Sequence, residues 1–229
     1  MYIADENGLR ETTPVMPRPK PHPSPVLKSL AAIFSLVFHP LFIPFYITCF
    51  LAFVHPFAFA GMDEKLKTLR VISVFLLTAF FPAFTVFLLR RLNFIHTIYL
   101  KTQKERIIPY VATMFFYFWI FYVSKNLTDS SPLFVAVMLG AFISSIAALM
   151  ANIYFKVSMH GIAMGALLTF FIFLALQGNI DMSAYLALAT LIAGSVCSSR
   201  LLISDHYHFE VYAGFFLGVI SQVIAFYFI

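Results

Sequence analysis

Residues 132–177 read PLFVAVMLGAFISSIAALMANIYFKVSMHGIAMGALLTFFIFLALQ, and they are the clearest indication of the fold class. It contains a single charged residue, Lys156, which lies in a short join between two apolar runs. An apolar run of about 20 residues is long enough for an α-helix to cross the hydrocarbon core of a bilayer. The stretch therefore predicts two consecutive transmembrane helices.

The same pattern continues on both sides of this stretch. The charged residues of the chain lie almost entirely between the apolar runs, as expected when the runs face lipid. We predict an all-α, polytopic bundle of about seven transmembrane helices within residues 29–229. The predicted spans are 30–54, 70–90, 108–124, 132–155, 158–177, 183–203 and 209–229.

The composition excludes an ordinary soluble domain. Hydrophobic residues make up 61% of the chain and charged residues only 11%, whereas a soluble domain carries about 25% charged residues to form its hydrated surface. Both cysteines, Cys49 and Cys197, lie inside apolar runs, so no disulfide framework is predicted. We therefore expect an integral membrane protein that has the lipid bilayer as its main partner and does not bind nucleic acid.

Residues 1–28 differ from the rest of the chain. Six prolines occur between Pro14 and Pro25, and each proline lacks an amide donor and restricts the residue before it. We expect a disordered, Pro-rich arm. Of the 15 lysines and arginines, 11 lie on the same side of the predicted bundle as this arm. By the positive-inside rule the arm is then cytoplasmic.

Polar residues with chemical capability gather in three segments: 101–109, 156–161 and 199–210. Because the predicted spans alternate in direction, all three segments lie on one side of the membrane. We expect their side chains to converge on one pocket near the interface. His39 lies apart from them, next to Pro40 in the first span. It could be a site residue, although a structural histidine bonded to nearby backbone is the interpretation that we favour.

The third segment carries the clearest pattern. His206 and Glu210 are four residues apart, so they share one face at the start of the last helix and can form a hydrogen bond. Arg200 precedes them across a short turn, and its guanidinium offers a planar fork of donors suited to phosphate oxygens. The alternative is purely structural: Arg200, His206 and Glu210 would then be charged residues at the membrane interface, where the chain turns between two helices. His206 and His208 would diverge on a helix, which argues against a zinc pair, and we expect neither a metal nor another cofactor.

At this point the chain resembles the type-2 phosphatidic acid phosphatase superfamily, the membrane lipid phosphatases related to vanadium haloperoxidases. The family's third signature, Ser-Arg-x5-His-x3-Asp, corresponds to Ser199-Arg200-x5-His206-x3-Glu210, with glutamate in place of aspartate. Its second, Pro-Ser-Gly-His, corresponds to residues 157–160 without the proline and the glycine. Its first, Lys-x6-Arg-Pro, is altered in residues 101–109. The resemblance covers about residues 90–229, which would form a phosphatase-like core.

The resemblance implies a role for each matching residue. His206 would be the nucleophile that forms a phosphohistidine, Glu210 would orient it, and His160 would be the general acid for the leaving group. The residues that would hold the phosphoryl oxygens are one of Lys101 or Lys104, together with Arg106, Ser158 and Arg200. The implied function is metal-independent hydrolysis of a lipid phosphomonoester or pyrophosphate.

Two other functions stay open from the sequence. One is a catalytically silent family member that acts as a binding or scaffold protein, which the altered first signature favours. The other is a lipid transporter, which the clustering of ionisable groups at one membrane face disfavours, since transporters bind substrates near the bilayer midplane. The resemblance suggests a bacterial inner (plasma) membrane protein whose site faces outward. The charge distribution favours a cytoplasmic site instead.

Overall fold

A computed structural model describes residues 2–5, 8–11, 24–97, 100, 102–178, 180–203 and 206–229. Seven helical segments among these residues are long and apolar enough to cross a membrane, which confirms the predicted number of spans. They are Pro25–Phe53, Glu64–Arg91, Gln103–Asn126, Pro132–Tyr154, Met159–Gln177, Ser183–Ile203 and His208–Phe228.

The first two spans are each divided. The first consists of α1 (Pro25–Val37), a short 3-10 helix (Pro40–Phe42) and α2 (Ile43–Phe53). The second consists of α3 (Glu64–Phe75), a π-helical turn (Leu76–Phe80) and α4 (Phe81–Arg91). The other spans are single helices: α5 (Gln103–Asn126), α6 (Pro132–Tyr154), α7 (Met159–Gln177), α8 (Ser183–Ile203) and α9 (His208–Phe228).

The N-terminal region differs from a wholly irregular arm in two ways. Two strands, β1 (Tyr2–Asp5) and β2 (Gly8–Glu11), pair antiparallel and precede the proline-rich stretch. Helix α1 begins at Pro25, because the Ser24 hydroxyl oxygen accepts from the amide of Leu27 and proline is well suited to the first helical position. Residues 12–23 lie outside the described residues, so disorder there stays a prediction.

The break in the first span follows from its prolines. The ring nitrogen Nδ1 of His39 caps the 3-10 helix by accepting from the amide of Leu41, at 3.4 Å. Pro40 begins that short helix, and Pro44 lies in the first turn of α2. A proline supplies no amide donor to the preceding turn, so a continuous α-helix is interrupted here. The break separates α1 from α2 and turns the His39 side chain towards α7.

The π-helical turn of the second span also lies next to a proline. Pro82 has no amide hydrogen, so the Thr78 carbonyl lacks its usual α-helical donor. The buried hydroxyl of Tyr117, on α5, donates to that carbonyl at 3.3 Å. A side chain from a neighbouring span thus satisfies a backbone group that lipid could not.

Glycines bring α7 and α9 into close contact. A methyl group added at Gly161 would lie 2.6 Å from the Val211 carbonyl oxygen, and one added at Gly214 would lie 2.6 Å from the Ser158 carbonyl oxygen. Gly165 and Gly218, one helical turn further along, have even less space. Small residues at four-residue spacing let membrane helices approach this closely. This contact between α7 and α9 lies within one chain, and it fixes the two parallel helices in register.

The apolar interior lies between α2, α6, α7 and α8. Its fully buried side chains include Leu51, Phe134, Met138, Met164, Phe170 and Val196. On the side of the bundle opposite the three polar segments, Arg70 donates to Asp129 at 2.9 Å and to Ser130 at 2.6 Å. This contact ties the second span to the loop before α6.

Candidate functional site

The first turns of α7 and α9 lie side by side, and the site is built around them. Ser158 caps α7, since its hydroxyl oxygen accepts from the amide of Gly161 at 3.3 Å. Its own backbone amide donates to the Glu210 carbonyl at 3.1 Å, which joins the starts of the two helices. Helix N-termini present unpaired amide donors and the positive end of the helix dipole. Two of them in parallel favour an anion at this place.

His206 and Glu210 form a buried, hydrogen-bonded pair at the start of α9. The Nδ1 atom of His206 lies 2.8 Å from Oε2 of Glu210, and both residues are less than 10% exposed. Oε2 also accepts from the amide of Tyr207 at 3.0 Å, which fixes the carboxylate. A carboxylate can only accept, so the proton of the neutral ring sits on Nδ1 and the lone pair on Nε2.

The electrostatics favour the neutral form of His206. Burial lowers the pKa of His206 below its ordinary value, and the positive charges of Arg106 and Arg200 act in the same direction. The hydrogen bond to Glu210 opposes this shift but does not reverse it. The ring is therefore neutral at neutral pH, which is the form in which an imidazole can act as a base or a nucleophile.

Arg106 is buried within electrostatic range of His206, and it joins three segments. Its Nε donates to the Leu100 carbonyl and its Nη1 to the Val157 carbonyl, both at 3.0 Å. Close by, Gln103 and Asn152 exchange two hydrogen bonds, at 2.7 and 2.9 Å, which fix the start of α5 against the end of α6. Among the described residues, none accepts from Nη2 of Arg106.

His160 lies in the first turn of α7, and it contacts the first span. Its Nε2 lies 3.0 Å from the Ser35 carbonyl oxygen, which can only accept, so Nε2 carries a proton. Its ring stands edge-on to that of His39, with 5.4 Å between the ring centroids. Arg200, in the last turn of α8, interacts electrostatically with His39, His160 and His206. Three imidazoles and one guanidinium therefore share one region.

The structure brings most of the predicted site residues together. Those at the common end of the bundle are Arg106, Ser158, His160, Arg200, His206 and Glu210. Lys104 is different, because it is exposed and a two-residue step on a helix turns it about 200° from Arg106. Lys101 lies outside the described residues. No group of three or more potential metal-binding side chains lies close together in the part of the chain that the structure describes.

Two groups of the first span were not assigned to the site from the sequence. Ser35 contributes only its backbone carbonyl oxygen, which contacts His160. Every residue has such a carbonyl, so the sequence could not indicate this one. His39 does carry a signal, because an ionisable side chain within an apolar span is a candidate for function. Its hydrogen bond with the Leu41 amide is the nearby-backbone bond expected of a structural histidine, and its ring in addition lies edge-on to that of His160.

The chain matches no protein-family model, no curated protein and no solved structure. The resemblance to the lipid phosphatases accordingly depends on the signature residues themselves.

Proposed function

We propose that this protein is a metal-independent membrane lipid phosphatase that works through a phosphohistidine intermediate. The observation that carries the proposal is the arrangement of His206. It is paired to Glu210, and it lies with Arg200 and His160 beside two parallel helix starts. A nucleophile with an orienting carboxylate, a second histidine and several anion-binding donors are the groups that phosphoryl transfer requires.

The first step transfers the phosphoryl group to the protein. Nε2 of His206 attacks phosphorus, a nitrogen–phosphorus bond forms, and the bond to the leaving oxygen breaks. Glu210 holds the Nδ1 proton and supports the positive charge that develops on the ring. Protonated His160 keeps its Nε2 proton on the Ser35 carbonyl, so Nδ1 is the atom that delivers a proton to the leaving oxygen.

The second step returns the protein to its starting state. Neutral His160 takes a proton from water through Nδ1, and the water oxygen attacks phosphorus. The nitrogen–phosphorus bond breaks, inorganic phosphate is released and His206 recovers its lone pair. Arg200, the remaining donors of Arg106 and the amides at the two helix starts would hold the phosphoryl oxygens in both steps.

The location of the cluster favours a lipid substrate. The residues lie at the ends of apolar spans, where a phosphorylated headgroup would meet them while the acyl or prenyl chains stay in the bilayer. The substrate class is a lipid phosphomonoester or pyrophosphate. Phosphatidate, phosphatidylglycerophosphate, polyprenyl phosphates or pyrophosphates, and lipid A all belong to it.

The second candidate function is a catalytically silent binding or scaffold protein. One observation favours it, because Arg106 already donates to two backbone carbonyls. An arginine used in this way stabilises the fold and leaves fewer donors for phosphate. A direct measurement of turnover distinguishes the two candidate functions.

The test is phosphate release by the full chain purified in detergent, with a chelator present, from a panel of the lipids named above. We expect release that vanadate inhibits, since vanadate mimics the five-coordinate phosphoryl state. His206→Ala should abolish it, whereas His208→Ala, which changes an exposed neighbour, should leave it intact. No release above the His206→Ala level across the panel would refute the phosphatase and favour the silent protein.

Two further variants separate the roles of the other residues. Glu210→Gln should lower the rate by about 10²- to 10⁴-fold, because it removes the orienting carboxylate but not the nucleophile. His160→Ala should slow a substrate with a poor alkoxide leaving group far more than one with a good phenolate leaving group. Equal loss on both substrates would contradict the proton-donor role of His160.

A further inference from the structure

The first span contributes a histidine whose position is not explained by the packing of that span alone. His39 lies at the break between α1 and α2, half-buried, and its ring meets the edge of His160. It also interacts electrostatically with Arg200, which interacts with His206 as well. His39 thus contacts His160 and lies within electrostatic range of Arg200, two residues of the proposed phosphatase site. Its element lies outside the part of the chain that resembles the phosphatases.

The hydrogen bonds of the two imidazoles determine which atoms carry protons. Nδ1 of His39 accepts from the Leu41 amide, so it holds a lone pair and Nε2 holds the proton. Nε2 of His160 donates to the Ser35 carbonyl. In the neutral pair, the described residues of the first span supply a backbone acceptor for Nε2–H of His160 but none for Nε2–H of His39.

The first signature, which would supply a lysine donor, is altered in this chain. By the resemblance either Lys101 or Lys104 would contact the phosphoryl group; Lys104 is exposed on another face of α5, and Lys101 lies outside the described residues. A neutral imidazole N–H can supply one hydrogen bond to a phosphoryl oxygen without adding a charge. Arg200 already supplies positive charge within electrostatic range of His39.

We propose that His39 is a further substrate-contact residue, which donates its Nε2–H to a phosphoryl oxygen of the lipid substrate. This inference depends on the proposed phosphatase function. It makes the first span part of the active site, so that the site is incomplete without α1 and α2. The competing explanation is that His39 only caps the 3-10 helix.

Two substitutions separate substrate contact from capping. His39→Asn keeps a side-chain acceptor for the Leu41 amide. The asparagine side chain ends at the δ position, so the N–H donor at the ε position is lost. His39→Gln places an amide N–H near the position of Nε2. The matched control is His55→Asn beyond the other end of the first span, because Nδ1 of His55 likewise accepts from the Phe57 and Ala58 amides, at 3.3 and 3.0 Å.

The assay measures KM, kcat, vanadate inhibition and the unfolding temperature of each variant in detergent. We expect His39→Asn to raise KM and the inhibitory vanadate concentration by about 10- to 100-fold, since a hydrogen bond to a charged group is lost. Its unfolding temperature and the shape of its pH–rate profile should match the wild type. His39→Gln should recover most of the loss, and His55→Asn should have wild-type kinetics.

Wild-type KM and vanadate inhibition in His39→Asn would overturn the inference and leave His39 as a cap. Equal losses in His39→Asn and His39→Gln would also overturn it, because the donor would then not be what matters. An inactive wild-type protein would instead remove the phosphatase function itself, and this inference with it.

Discussion

Alanine in place of Gly214 would put a methyl group 2.6 Å from the Ser158 carbonyl oxygen, where ordinary contact begins at 3.4 Å. The atom it meets belongs to the backbone, so the strain cannot be relieved by rotating a side chain. We expect α9 to move away from α7 by about 0.8 Å, which is the difference between these two distances. The hydrogen bond from the Ser158 amide to the Glu210 carbonyl, now 3.1 Å, would lengthen towards 4 Å.

We expect Gly214→Ala to lower both the stability of the protein and its turnover rate. Overpacking of a close contact costs about 1–3 kcal/mol, which should lower the unfolding temperature in detergent by several degrees. The same displacement moves His206 relative to His160, and a misplacement of about 1 Å can slow an enzyme by about 10²-fold. Gly194→Ala is the matched control, because a methyl group there meets no atom within 4 Å.

The measurements are thermal unfolding of the two variants and phosphate release at saturating substrate. Gly194→Ala should be as stable as the wild type or more so, since alanine favours a helix over glycine by about 1 kcal/mol. If Gly214→Ala unfolded at the same temperature as Gly194→Ala, the close packing of α7 against α9 would be refuted. This part of the test does not require the protein to be an enzyme.

Three further results are expected. Seven spans place the N- and C-termini on opposite sides of the membrane, and thiol labelling of both ends from one side only would contradict that count. Tyr117→Phe should destabilise the protein by about 0.5–1.5 kcal/mol, measured by unfolding, because the Thr78 carbonyl loses its donor. Since the pKa of His206 is lowered and its neutral form attacks, the acidic limb of the kcat/KM profile, where His206 gains a proton, should lie below the ordinary histidine range. An acidic limb within or above that range would contradict the assignment.

Hydropathy predicted the C-terminal ends of the spans closely but placed three N-terminal ends too late. The first, second and third spans begin at Pro25, Glu64 and Gln103 rather than at 30, 70 and 108. In each case a polar residue caps the helix: Ser24, Asp63 and Thr102. Hydropathy reports contact with lipid, whereas a helix begins where its first amides find acceptors.

The site was predictable where it depends on local spacing. The four-residue interval between His206 and Glu210 and the alternation of spans were sufficient to expect that pair and its neighbours at one end of the bundle. The contact of His160 with Ser35 joins residues 125 positions apart and depends on how α1 packs. No local pattern encodes such a contact.

The hydroxyl of Tyr117 and the missing amide of Pro82 make two distant positions behave as one in their response to mutation. With proline at 82, loss of the hydroxyl leaves the Thr78 carbonyl short of a donor in a region without water. Pro82→Ala would return an amide to that turn, so it should suppress the defect of Tyr117→Phe while altering the wild type little. The pair is a case of epistasis that arises from one carbonyl oxygen.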